Sequence, residues 1–253
     1  MNPIENKKNL ANKIFLKTRI RYKIIKILER TGLILKIYKS GKLPKIMKII
    51  PIFKNFEEIL WFTRPDTWSP QALFVITRLF LATLKPFQLE RFLTMILIPR
   101  FQESIFLGKK KLSIHIFMAL KIASKYPRSF FSFVITPLLK KQNCTIKESI
   151  ILSAIISKMS FPLEVISSFL SHFLNKNFSK TKFIILNSIL NKNYLLPVRI
   201  IDMILDFFVQ NDFSKDVSFS QKCFLSFLRN YSCFISKEDR YKVRKKFSKK
   251  WIK

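Results

Sequence analysis

Only 3 glycines occur in this chain of 253 residues, and that scarcity narrows the fold more than any other feature. Tight hairpins, phosphate-cradling loops and dinucleotide folds need glycine where φ is positive or where backbone meets a ligand. Sandwiches, barrels and Rossmann-type sheets are therefore poor solutions, whereas helices joined by proline and polar turns use little glycine. Hydrophobic residues make up 49% of the chain, enough to fold, and the length suits one sizeable core or one elongated helical array.

The punctuation along the chain supports helices. Residues 7–39 carry lysine and arginine interleaved with Ile, Leu, Phe and Tyr, which suits basic amphipathic helices broken or capped near Gly32 and again at Ser40-Gly41. Ser69-Pro70 reads as an N-cap followed by proline at the first helical position, with the helix running to about Leu84. Pro86 starts another reaching toward Leu107, which Pro99 must kink or break because its ring removes an interior hydrogen bond. Lys111 to Lys125 is a further helical stretch, and Pro127 opens an aromatic segment ending after Pro137. Thr145 and Glu148 form a capping box ahead of Ile150, Ile151, Ala154 and Ile155. Helices follow from Pro162 to about Leu174 and from Thr181 to Leu190. The next, from Pro197, has an apolar face of Ile200, Ile201, Ile204, Leu205 and Phe208 and a polar face of Arg199, Asp202 and Asp206. Ser220 to Arg229 and Ser236 to Lys246 complete the set. The expected fold is all-α: an irregular HEAT-like array of about ten helices without a clean sequence repeat. A globular bundle is the alternative.

Charge is the strongest indication of a partner. Lys and Arg number 47 against 15 Asp and Glu, a formal net charge of +32. Such a surface repels itself unless an anion is bound, and nucleic acid is the usual anion because neutralised phosphates release counterions. An AT-rich genome inflates lysine but does not remove Asp or Glu, so codon usage leaves the imbalance unexplained. The candidate RNA-binding residues are Lys42, Lys45 and Lys48, which on a helix would form one stripe; Lys109, Lys110 and Lys111; Lys140 and Lys141; and Lys245 and Lys246 in the basic tail. Each cluster alone is equally well a solvated surface, and the tail is equally well a nuclear-localisation signal. Phe130, Phe131 and Phe133, or Trp61 and Trp68, could stack on bases, but helical spacing beside Val and Leu favours core packing.

Catalytic patterns are missing. There is no GxGxxG, GxxxxGK[ST], GxSxG or HExxH. His115 and His172 stand apart among apolar neighbours and read as satisfied, half-buried residues. The acidic pairs Glu57/Glu58 and Asp202/Asp206 read as solvated helix faces. Cys144, Cys223 and Cys233 make no CxxC pair, which argues against a zinc site or disulfide framework and for a reducing compartment. No uncharged run approaches the ~18–20 residues of a membrane span, and no apolar leader opens the chain. The expectation is a soluble, intracellular, non-enzymatic protein with no cofactor, no metal and no membrane partner.

Several short stretches in order resemble one family. They begin with Ser40-Gly41-Lys42-Leu43-Pro44-Lys45, Lys48-Ile49-Ile50-Pro51 and Phe56-Glu57-Glu58-Ile59-Leu60. Thr63, Pro65, Trp68, Ala72, Thr77-Arg78 and Phe80 follow, then Arg91-Phe92 and Leu97-Ile98-Pro99-Arg100. His115, Met118-Ala119-Leu120-Lys121, Cys144-Thr145, Glu148-Ser149-Ile150-Ile151, Tyr194-Leu195-Leu196-Pro197-Val198-Arg199 and Asp202 continue the register. Together they resemble the bystin domain from residue 40 to about 210, fading beyond. The resemblance implies a HEAT-like, non-catalytic factor of small ribosomal subunit biogenesis. It further implies partners: pre-ribosomal RNA, small-subunit ribosomal proteins and assembly factors, and precursor particles containing small nucleolar RNA. The implied location is the nucleus and nucleolus, with a cytoplasmic stage on late pre-40S particles. His115 and Cys144 become family core positions under this reading. Departures are a short start without the family's long charged N-terminal extension, Arg64 in place of an acidic residue, and Asn143 in place of glycine.

The implied organisation is a basic helical arm at 1–39, a bystin-like helical domain at 40–235 and a basic tail at 236–253. Rival readings are a membrane-surface protein using the basic N-terminal helix, an RNA-modifying enzyme, and a basic helical-repeat adaptor or transport-type protein that binds proteins rather than RNA.

Overall fold

The computed structural model describes residues 22–53, 55–106, 112–140, 144–174, 179–210 and 217–235, and among them every regular element is helical. The chain divides into two compact units: Met1–Ser104 with Lys109–Ala119, and Ile105–Gly108 with Leu120–Lys253.

The first unit opens with α1, residues 22–37, which buries Leu28, Thr31 and Leu35 along one face. Gly32 does not break this helix. A Cβ at Gly32 would sit 2.5 Å from the carbonyl oxygen of Thr63, so glycine is there for close backbone approach and the helix runs through it. The chain then bends at Ser40 and Gly41, where Gly41 has φ +106° and its carbonyl accepts a 2.6 Å bond from the Tyr38 hydroxyl. Next come α2 (Ile46–Ile49), continued by a 3₁₀ turn over Ile50–Ile52, α3 (Phe56–Trp61), and a 3₁₀ turn over Pro65–Thr67.

Helix α4 (Pro70–Thr83) starts as expected: the Ser69 hydroxyl accepts the Ala72 N–H, with proline behind it. Ser69 also holds α1, donating its hydroxyl to Tyr38 O at 2.6 Å and its N–H to Leu35 O at 3.1 Å. The Trp68 indole, 1% exposed, donates to Thr63 O at 3.0 Å. Helix α5 (Pro86–Phe92) passes into α6 (Ile98–Phe106) through a π turn over Leu93–Leu97, in which the Ile98 N–H reaches Leu93 O. Pro99 therefore does not interrupt the helix. Widening the preceding turn to an i→i−5 bond accommodates the ring that an ordinary turn would exclude.

Helix α7 (Ile114–Ala123) carries the chain into the second unit. There the same device recurs: α8 (Pro127–Phe130), a π turn over Phe131–Ile135, and α9 (Thr136–Lys140), with Pro137 two residues past the turn. Thr136 donates both its N–H and its hydroxyl to Phe131 O, so the helix continues beyond Pro137 rather than ending there. Helix α10 (Ile146–Lys158) carries the expected capping box: Thr145 N–H meets Glu148 Oε2 at 2.6 Å, and Glu148 N–H meets Thr145 Oγ1 at 3.3 Å.

Helices α11 (Leu163–Phe173), α12 (Lys180–Leu190), α13 (Val198–Gln210) and α14 (Val217–Tyr231) form two layers with α10. Helix α12 packs on α10 and on α14, while α11 packs on α13. Alternate helices thus stack on one another, the arrangement of a helical array. Position in the stack accounts for composition. Helix α12 buries Phe183, Ile185, Leu186, Ser188, Ile189 and Leu190 around much of its circumference. Helix α13 buries Ile200, Ile201, Ile204, Leu205, Phe207 and Phe208 on one side and exposes Arg199, Asp202 and Asp206. Rings fill the spaces: Phe131 lies 4.7 Å from Phe169, and Phe208 lies 5.1 Å from Phe224. The stretch Ser236 to Lys246, read as helical from sequence, lies outside the described residues.

Two substitutions test this account. Gly32→Ala should lower stability by about 1–3 kcal/mol through overpacking against backbone, despite a helix-propensity gain of ~1 kcal/mol. The urea midpoint, followed by tryptophan fluorescence, should fall; an unchanged or higher midpoint would contradict the close approach. Thr145→Ala should cost about 1 kcal/mol by removing the cap, read in the same titration by circular dichroism.

Candidate nucleic-acid interface

Lys42, Lys45 and Lys48 are all exposed, but they do not form a helical stripe. Lys42 lies in non-helical chain, Lys45 is the N-cap of α2, and only Lys48 is inside that four-residue helix. The segment is held from beneath instead. Met47 and Ile50 are completely buried, the Met47 N–H bonds Pro44 O at 3.0 Å, and the Lys48 N–H bonds Lys45 O at 3.1 Å. Two anchors therefore fix this stretch: the Tyr38–Gly41 bond at its start and the buried pair at its end.

The same three-residue step reaches further back. Lys36, in the last turn of α1, and Lys39, after it, are also exposed, so lysines 36, 39, 42, 45 and 48 form one run across a helix end, a bend and a second helix. The step is legible in the sequence, where only its part from residue 42 onward stands out. Lys23, Lys26 and Arg30 of α1 and Arg64 and Arg78 add exposed cations to the first unit. Among the described residues three ion pairs form: Arg91–Glu57 at 2.9 Å, Arg100–Glu103 at 2.5 Å and Arg128–Glu164 at 3.8 Å. No lysine of the 36–48 run takes part in them, so these exposed side chains are open to an anion.

Other candidates fall elsewhere. Lys109, Lys110, Lys111, Lys141, Lys245 and Lys246 lie outside the described residues, and Lys140 closes α9 with its side chain undescribed. Phe130, Phe131 and Trp68 are core residues at 2% exposure or less. Trp61 departs from the core-packing expectation: it is 49% exposed at the end of α3 and so offers a face on which a base could stack.

The nucleophile and ligand candidates have the wrong surroundings for activation. Burial pushes the Cys144 thiol up, and the fully buried Cys223 thiol further, opposite to a reactive thiolate. Cys144 is only half-buried and His115 likewise, so neither is a full core position. His115 is half-buried as expected and packs beside Phe74 at 6.2 Å, and among the described residues its buried Nδ1 has no hydrogen-bond partner. His172 is exposed rather than half-buried. Tyr231 is pushed up to about 12, chiefly by burial and secondarily by Tyr194, and its hydroxyl donates to Tyr194 O at 2.9 Å, a structural tie. Among the described residues no group of three or more His, Cys, Asp or Glu is placed to hold a metal, and no helix is long and apolar enough to cross a membrane.

Comparison with known proteins agrees with the resemblance and widens it. The bystin family profile matches residues 3–251, well beyond 40–210 on both sides. Among curated relatives, the chain is 40% identical over 141 residues to bystin of Nematostella vectensis, covering 56% of this chain and 33% of that protein. It is 40% identical over 126 residues to human bystin, covering 50% of this chain and 29% of that protein. An uncharacterised protein of Schizosaccharomyces pombe is 43% identical over 141 residues, covering 56% of this chain and 31% of that protein. The matched segment spans about a third of the length of these relatives. With a profile match over nearly all of its length and an all-helical array beneath it, this chain belongs to the bystin family.

Proposed function

We propose that this chain is a non-catalytic ribosome biogenesis factor. It binds pre-ribosomal RNA together with small-subunit ribosomal proteins and assembly factors during pre-rRNA processing and pre-40S maturation, in the nucleus and nucleolus. The observation that carries this reading is the run of exposed lysines from 36 to 48, clear of the ion pairs and pinned at both ends. Family membership supplies the ribosomal context, and the net charge of +32 supplies the attraction to a polyanion.

The mechanism is electrostatic positioning. A lysine held by packed backbone loses less conformational freedom on meeting a phosphate than one on a free tail. Five such cations at fixed spacing favour a phosphate backbone running along them over a diffuse anionic surface. Trp61 adds an exposed ring for an unpaired base. Small nucleolar RNA-containing precursor particles are the setting in which such binding would occur, since they present unfolded and folded RNA together.

Filter binding to small-subunit rRNA fragments tests the reading. Log affinity should fall linearly with log salt. The combined Lys42→Glu, Lys45→Glu and Lys48→Glu change should flatten that slope by about three, one for each phosphate that the protein no longer neutralises. The unfolding free energy should stay within about 0.5 kcal/mol, because exposed positions tolerate exchange. A salt-independent affinity, or a slope unmoved by the triple change, would remove this run from the interface. Sucrose-gradient sedimentation of the tagged protein with pre-40S particles should weaken in parallel.

A further inference from the structure

The geometry points to a peptide-docking cleft between α1 and the turn that follows α3, which takes a short segment of a partner protein pairing an acidic side chain with an apolar one. The cleft holds about 280 Å³ and is lined by Glu29, Gly32, Leu33 and Lys36 of α1 and by Phe62, Arg64 and Thr67 of the turn. Gly32 is what allows the turn to lie so near the helix, since any larger residue would meet Thr63.

Two features of the lining specify the occupant. Its apolar part is left open to solvent: Leu33 is 67% exposed and Phe62 40%, a cost that burial against an apolar side chain relieves. Its charge is mainly positive. Lys36 and Arg64 are exposed, and neither has an ion-pair partner among the described residues, so the lining attracts a carboxylate. Arg64 presents its fork from a left-handed backbone (φ 48°, ψ 70°) that its neighbours hold. Its N–H bonds Trp61 O at 2.9 Å, and its carbonyl accepts from Thr67 N–H at 3.0 Å and Thr67 Oγ1 at 2.9 Å. A bulky residue kept at positive φ is strained, and these bonds hold its backbone there.

Glu29 lies on the same helix seven positions before Lys36, roughly 10 Å along the axis. It repels a second acid. With one acid among two cations and with Leu33 and Phe62 open to solvent, the lining suits a single acid beside an apolar side chain better than a polyanion, although Lys36 is shared with the lysine run. A nucleic acid strand, uniformly negative, matches the run and clashes with Glu29. A peptide with one acid beside an apolar residue matches the cleft. The inference does not rest on the RNA reading: Lys36 belongs to both surfaces, but Arg64, Leu33 and Phe62 lie outside that run.

Panning a library of short random peptides on the full chain tests it, with enriched sequences measured by fluorescence anisotropy. Three variants accompany the wild type: K36E/R64E, L33S, and K42E/K48E as a control of equal charge change. Enriched peptides should carry an acid beside an aromatic or aliphatic residue. Their affinity should drop about tenfold or more in K36E/R64E, fall in L33S, and hold in K42E/K48E. Equal loss in K42E/K48E would show general attraction to a basic protein and overturn the site. So would the absence of any enriched sequence, or enrichment unchanged in K36E/R64E. If K36E/R64E weakens rRNA binding while leaving peptide binding intact, the lip serves nucleic acid and the peptide cleft is wrong. Circular dichroism checks folding, and should K36E/R64E not fold, L33S and R64Q decide the matter, both at exposed positions.

Discussion

The carbonyl oxygen of Thr63 is where three parts of the first unit meet. The Trp68 indole donates to it at 3.0 Å, Gly32 presses against it with no room for a Cβ, and the Thr63 hydroxyl turns back to Leu60 O at 2.6 Å. A buried carbonyl must be paired, and here the pairing also sets the distance between α1 and the turn after α3. From that distance follows the placement of Leu35 and Tyr38 against Ser69, then of Gly41 against Tyr38, then of the lysines beyond. Arg100 adds a further tie, donating to Trp68 O at 2.7 Å. Both surfaces to which function is assigned, the lysine run and the cleft, depend on this one backbone approach.

The prolines show how an apolar, glycine-poor chain still fits its layers. Pro99 and Pro137 each stand two residues beyond a π turn, in Phe92-Leu93-Thr94-Met95-Ile96-Leu97-Ile98-Pro99 and Phe130-Phe131-Ser132-Phe133-Val134-Ile135-Thr136-Pro137. In both, the two residues opening the stretch are buried, as are the fifth and sixth. The widened turn removes the clash between the ring and the preceding carbonyl, so the helix keeps its buried face in register through the proline. A break would have exposed polar backbone inside the packed layers, which is costly.

Charge and fold are balanced against each other. The few acidic residues are used locally: Glu57 on Arg91, Glu103 on Arg100, Glu148 in a cap. Against 47 Lys and Arg the chain has only 15 acids in all, so self-repulsion works against compactness and an anionic partner would relieve it. Phenylalanine packing opposes that repulsion, with ring pairs at 4.7–5.4 Å running through the second unit. Rigidity of this kind suits a protein that displays charge rather than one that moves it.

Much of this was legible along the chain. Glycine scarcity and proline punctuation are local backbone restrictions, so they identified an all-helical fold, the Ser69 and Thr145 caps and the two faces of α13 without reference to the tertiary structure. Family resemblance was equally legible, because it rests on residue order. Where long-range packing decides, sequence reasoning fell short. Gly32 looked like a helix stop because its partner, Thr63, is distant in sequence; Pro99 read as a kink or break, and the π turn that carries the helix past it has no residue signature. Trp61 and Trp68, both near the same turn, separate into exposed and buried only once Thr63 chooses one of them. The lysine step was visible, but whether its members point outward and unpaired depends on which acids come near, and only the folded chain settles that.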